Sequence, residues 1–153
     1  MTEAATEVLF YHLERMTLES VLPSLLERTL ERGWRAVVQS GSAERLEALD
    51  LSLWTYDDAS FLPHGTARDG DPSRQPVYLT LGDETPNGAG VRFLVDGAEA
   101  AAFEGFARIV CIFDGRDGDA TARARQQWQA ARAAGCAVTY WSQSESGRWE
   151  KQG

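Results

Sequence analysis

The apolar positions change their period several times along the chain, and each change marks an element. Val8–Leu13 (VLFYHL) is a short run of apolar and aromatic residues, the pattern of a strand. Leu18, Val21, Leu22, Leu25, Leu26 and Leu30 then recur at helical spacing, with Thr17 placed to cap the helix and Gly33 to end it. Trp34–Ser40 (WRAVVQS) reads as the next strand, and Ser42 opens a second helix with Leu46 and Leu49 turned inward. Strand, helix, strand, helix in succession predicts a parallel sheet with helices on its faces.

The middle is less regular. Residues 51–63 (LSLWTYDDASFLP) hold aromatics and leucines without a clean period, and residues 64–75 are a polar, Gly- and Pro-containing surface loop. Pro76–Leu81 and Val91–Val95 are strands separated by a Gly/Pro/Asn turn region. Asp96 with Glu99 has the spacing of a capping box and predicts a helix carrying Phe103 and Phe106. Arg108–Phe113 (RIVCIF) is almost continuously apolar, as a strand covered on both faces must be. A turn at 114–119, a helix over Ala120–Ala134 ended by Gly135, and a strand over Ala137–Ser142 complete the chain. Residues 1–6 and 145–153 read as frayed ends. With 153 residues and no internal repeat, the expectation is one α/β domain over 1–153, three layers thick, around a mostly parallel open sheet.

Charge sharpens the picture. The chain has 23 Asp and Glu against 15 Lys and Arg, a net charge of −8. That balance disfavours duplex DNA and anionic lipid as partners. Yet residues 120–144 contain three arginines and no carboxylate. Arg125, Trp128 and Arg132 fall at i, i+3 and i+7, on one helical face. An aromatic between two guanidinium groups suits an acidic ligand with an apolar end. The competing reading turns Ala120, Ala124, Ala131 and Ala134 to the sheet and leaves Trp128 flanking the core. A second candidate surface is the aromatic segment with Trp54, Tyr56, Phe61, Leu62, Pro63 and His64, either a core corner or an anchor for a partner protein. Cys111 and Cys136 lie in apolar runs and read as buried free thiols of a reducing compartment. No secretory leader and no membrane span is legible, which predicts a soluble, cytoplasmic protein.

The chemistry of an α/β enzyme is missing. The turn after the first strand reads Glu14-Arg15-Met16-Thr17, without the glycines that let a backbone approach a pyrophosphate. A Walker sequence and a Gly-x-Ser-x-Gly elbow are absent, the single lysine is Lys151, and His12 and His64 lie far apart. Asp114–Asp119 lacks the calcium-loop pattern and reads as a solvated turn with a helix cap. The sequence thus predicts a Rossmann-like fold without a phosphate-binding glycine loop, no catalytic residues, no metal and no cofactor. The alternatives are a nucleotide-binding or other small-molecule enzyme on the same fold, and a single-strand binder using Arg125 and Trp128 as a stacking platform.

Trp54 followed by Ser60-Phe61-Leu62-Pro63-His64-Gly65 resembles the characteristic segment of the chi subunits of bacterial DNA polymerase III holoenzyme. The order of Pro76–Leu81, Val91–Gly97, the FDG at 113–115, the helix ending Ala130–Gly135 and Thr139-Tyr140-Trp141 fits the same family, from VLFYHL to the last strand. The resemblance implies a non-catalytic adaptor of DNA replication with an α/β fold that lacks a working nucleotide site. Its implied partners are the acidic C-terminal tail of the single-stranded-DNA-binding protein and the psi subunit, which joins chi to the clamp loader; strong direct DNA binding and membrane attachment are not implied. Carried over by position, Arg125 and Trp128 match the tail-binding helix, with Arg132 or Arg123 in electrostatic support. Trp54, Phe61, Pro63 and His64 match positions that meet psi or another clamp-loader protein. The chain departs from the family pattern at Thr121 and Gln129, where lysines are expected.

Overall fold

The computed structural model describes residues 6–14, 16–55, 64–66, 71–100, 103, 105–143 and 148–152. Its elements run β1 (Glu7–Leu13), α1 (Leu18–Glu31), β2 (Ala36–Ser40), α2 (Ala43–Thr55), β3 (Val77–Thr80), β4 (Val91–Val95), β5 (Arg108–Asp114), α3 (Gly118–Ala133), β6 (Ala137–Gln143) and β7 (Trp149–Lys151). The strands form one sheet in the order β3-β2-β4-β5-β1-β6-β7. All neighbours pair in parallel except β6 and β7. This is the mixed, mostly parallel α/β sheet that the alternating periods predict.

The sheet separates two apolar cores. Leu9 and Leu13 of β1 point with Val110 and Ile112 of β5 toward α1 and α2. The intervening Val8 and Phe10, with Ile109, Cys111 and Phe113, point toward α3. The period of two along each strand thus supplies both faces at once, which is why β5 needs its unbroken apolar run. Burial pushes the Cys111 thiol up to about 12, so it packs as a small apolar side chain and not as a nucleophile.

Three expectations are corrected. Asp96 and Glu99 open no helix: none of the described residues 96–100, 103 and 105–107 is helical. Asp96 and Gly97 instead have φ of 49° and 86°, and the Ala98 amide donates to Val95 O at 3.1 Å. An Asp-Gly pair at positive φ is the chemistry of a tight turn, and it outcompetes the capping-box spacing. Second, residues 149–151 are not frayed. They form β7, antiparallel to β6, with Trp149 packed edge-on against Tyr11 at 4.9 Å. Third, the irregular segment after Asp50 is helical as far as Thr55, the end of α2.

One buried polar residue had no signal in the apolar pattern. Arg92, in the middle of β4, is 3% exposed. Its guanidinium donates to Gln39 Oε1 (2.7 Å), Asp83 O (2.8 Å), Glu84 O (2.9 Å) and Thr85 Oγ1 (2.9 Å), and lies 5.2 Å from the Phe106 ring. Its donors are satisfied inside the fold, and it ties the 83–85 loop to the sheet.

Candidate functional site

The chain leaves β1 through α1 toward β2 and leaves β5 through α3 toward β6. These crossovers part on opposite faces, so the carboxyl ends of β1 and β5 form the crevice where open α/β sheets hold ligands. The crevice is a cavity of about 360 Å³ that includes Glu19, Arg45, Asp96, Asp114, Asp117 and Arg123 in its walls. Arg45, Glu19, Asp96 and Asp117 are committed within the fold. Asp117 caps α3, accepting from the amides of Asp119 (2.9 Å) and Ala120 (3.3 Å). Arg45 pairs with Glu19 and with Asp96, donating to Asp96 Oδ1 at 3.2 Å. Burial, partly offset by Arg45, holds the Asp96 carboxyl above its ordinary range. Carboxylates thus stand where a phosphate would need amide donors, so this crevice is poorly suited to a nucleotide.

The helix α3 carries the other candidate. Of the four alanines that the competing sequence reading turned to the sheet, Ala124 and Ala131 are buried, Ala120 is half-buried and Ala134 is exposed, while Trp128 is half-buried between Ala124 and Ala131. Trp128 lies against Phe10 (ring centroids 5.5 Å apart) and edge-on to Tyr140 (6.0 Å). Phe10, Phe113, Trp128 and Tyr140 line a cavity of about 450 Å³, with Thr121, Ala124, Arg125 and Gln152 completing its wall. The floor is apolar and aromatic; Arg125 is exposed, and among the described residues no carboxylate side chain lines the cavity.

The floor is locked from below. The Tyr140 hydroxyl and His12 Nδ1 share a hydrogen bond, and His12 Nε2 lies 3.4 Å from Glu14 Oε1. His12 also packs on Phe113 at 5.1 Å. Burial raises the Tyr140 phenol, Glu14 raises it further, and the Arg125 guanidinium acts in the opposite sense. Gly115 makes this packing possible: a Cβ there would sit 1.6 Å from His12 Nε2. The glycine of the FDG motif is therefore a close-approach residue, not part of a phosphate loop.

The structure brings together two of the four residues assigned to the α3 site. Arg125 and Trp128 line the same cavity. Arg123 turns to the crevice, where its Nη1 lies 3.4 Å from the position of a Cβ on Gly97. Arg132 is exposed one turn beyond Trp128 and does not line the cavity. Phe10, Phe113, Tyr140 and Gln152 are the members that sequence spacing missed. They come from three other strands and the chain's end, so only the sheet order reveals them.

Of the aromatic segment, Phe61 and Pro63 lie outside the described residues, as does the side chain of Trp54 at the end of α2. His64 is 3% exposed. Its Nε2 faces Asp50 Oδ1 (3.1 Å) and Asp50 O (3.2 Å), so the imidazole is turned inward onto α2. The next residue, Gly65, is stitched to the outer edge of β3, donating to Val77 O (3.0 Å) and accepting from Leu79 (2.9 Å). Nearby, Leu51 and Leu81 are among the exposed large apolar side chains, at 65% and 50%. Among the described residues there is no cluster able to hold a metal ion, and no helix long and apolar enough to cross a membrane.

Comparison with known proteins points the same way. Residues 5–139 match the family model described as DNA polymerase III chi subunit, HolC. A protein of Rickettsia prowazekii (strain Madrid E), described as a probable DNA polymerase III subunit chi, is 28% identical over 111 residues, covering 68% of this chain and 67% of that protein. The match extends from the start of β1 into β6 and takes in the helix residues Arg125 and Trp128 and the aromatic segment through His64, so the chain belongs to the DNA polymerase III chi subunit family, an accessory and not a catalytic subunit of the replicative polymerase.

Proposed function

We propose that this protein is a cytoplasmic adaptor that binds the acidic C-terminal tail of the single-stranded-DNA-binding protein at the α3 cavity and links it to the clamp loader. The observation that carries this reading is the pairing of an apolar, aromatic floor with an exposed guanidinium in a wall that, among the described residues, has no carboxylate side chain. A peptide ending in an apolar side chain and a free carboxylate needs both features within one residue's length. Trp128, Phe10 and Tyr140 receive the side chain, and Arg125 receives the carboxylate or an aspartate before it. Arg132, one turn along the helix, adds attraction for the acidic stretch upstream, and Arg123 acts only through the longer-range field. Thr121 lines the cavity where the family pattern has a lysine, so Arg125 carries most of the charge recognition.

The clamp-loader side is assigned to the end of α2 and the segment after it. Exposed Leu51 and Leu81 supply apolar area there, and the resemblance assigns Trp54, Phe61 and Pro63 to the same contact with a psi subunit or another clamp-loader protein. His64 serves this surface by anchoring the segment to Asp50.

The test is calorimetric titration with a synthetic tail peptide of the organism's own single-stranded-DNA-binding protein, beside a peptide lacking the last residue. Micromolar binding that disappears with the deletion is expected. Equal binding of both peptides would remove the apolar cavity from the account, and no binding at low salt would remove the tail altogether.

A further inference from the structure

The opposite face of the sheet holds a second cationic and aromatic cluster, at the amino ends of the strands. Arg28 and Arg32 in the last turns of α1 and Arg108 at the start of β5 enter the wall of a cavity of about 250 Å³, together with Tyr11, Trp34 and Trp141. Arg32 and Arg108 lie over the Trp34 ring at 5.8 and 5.4 Å. Trp141 and Tyr11 are nearly parallel, 13° apart with centroids at 6.2 Å.

The charge here is not balanced. Glu7 pairs with Arg108 at 3.3 Å, while Arg28 and Arg32 are exposed and make no ion pair among the described residues. Burial raises the Tyr11 phenol, and Arg108, Arg28 and Arg32 each oppose that shift, against a single carboxylate, Glu7. Helix-terminal arginines complement the helix dipole. That role covers Arg28 and Arg32 but does not account for their meeting Arg108 of β5 beside two parallel aromatic rings.

We propose that this cavity is a docking point for single-stranded nucleic acid, with a phosphate on the Arg28, Arg32 and Arg108 guanidiniums and a base laid against Trp141 and Tyr11. Guanidinium groups meet phosphate through several parallel donors, and flat aromatic faces stack any base, so the recognition is indifferent to sequence. A duplex would hide its bases and meet the full repulsion of a chain with net charge −8. An acidic peptide would satisfy the arginines and leave the parallel rings unused. The site is separate from the α3 cavity, which lies across the sheet, and holds whether or not that cavity takes a tail. Binding is weak and salt-limited: neutralising one phosphate gives a log–log salt slope of about −0.7 for a single strand.

The experiment is fluorescence anisotropy of a labelled oligothymidylate at low salt with the full chain. Arg28→Glu and, independently, Arg32→Glu should each weaken binding by roughly tenfold, since each both removes and reverses a phosphate contact. Arg116→Glu makes the same change in net charge at the far end of the strands, where its side chain is 61% exposed, and should have an effect several-fold smaller. Arg125→Ala should leave oligonucleotide binding unchanged. An abasic oligomer of equal length should bind several-fold more weakly. The proposal is overturned by no binding at low salt, by equal loss in Arg116→Glu, by equal affinity for the abasic oligomer, or by polyglutamate displacing the oligonucleotide as well as oligothymidylate does.

Discussion

Two cavities flank α3, and their cations are deployed in opposite ways. In the crevice at the carboxyl ends of β1 and β5, Arg45 is held between Glu19 and Asp96, and Asp117 caps the helix that opens there. In the cavity beside Trp128, Arg125 stands exposed above an aromatic floor, with no carboxylate side chain in the wall among the described residues. The position where this topology favours an anionic ligand is already neutralised from within, and the attraction for acids has moved to the side of the helix. The fold alone therefore does not fix where a ligand binds.

The largest effect is expected where the aromatic floor is locked. Gly115→Ala drives a methyl into the His12 ring, which is backed by Phe113 and bonded to Tyr140. Overpacking of this kind should cost about 3 kcal/mol, read by chemical denaturation, and should weaken tail binding with it. A variant as stable as the parent would show that the floor is not rigid. Next comes the charge above it. Arg125→Ala should weaken the tail peptide by about 1–3 kcal/mol, the loss of a charge-assisted contact, whereas Arg123→Ala should change it by less than about 0.5 kcal/mol. Equal effects would erase the distinction between the two cavities.

Tyr140→Phe keeps the ring and removes its bond to His12. It should cost about 1 kcal/mol of stability and shift the tail affinity only slightly, as calorimetry would record. The smallest effect is in the crevice. Burial raises the folded-state carboxyl of Asp96, so the native state takes up its proton more readily than the unfolded chain. Stability is then lost as pH rises from the ordinary carboxyl range through the raised value. Asp96→Asn should remove that loss, so that the variant gains on the parent as pH rises from the acidic range to neutral. An advantage independent of pH would assign the effect to the positive-φ turn alone.

The fold was legible because its long elements are strongly periodic. Leu18 to Leu30 defined α1, and the unbroken apolar run of Arg108–Phe113 marked a strand buried on both faces. The errors came from short signals that compete. Asp96 fits both a cap and an Asp-Gly turn, and φ at 96 and 97 decides for the turn. Trp149 carries too little pattern to announce β7, whose pairing depends on β6 lying at the sheet's margin. For the site, spacing on one helix placed Arg125 and Trp128 together but not the wall they share with Phe10, Phe113 and Tyr140. Those residues sit on strands made adjacent only by the β5-β1-β6 order. The family resemblance also placed Arg123 in support of Arg125, although two positions along a helix turn side chains to nearly opposite sides.

The central claim is that the uncompensated arginine and its aromatic floor form the acidic-tail site. Titration of the isotopically labelled protein with the tail peptide, followed by NMR at the Trp128 indole, the Tyr140 ring and the Arg45 and Arg125 guanidiniums, tests it most directly. The account predicts saturable shifts at Trp128, Tyr140 and Arg125 with Arg45 unmoved. Shifts centred on Arg45 and the crevice, or none at Trp128 under saturating peptide, would contradict it.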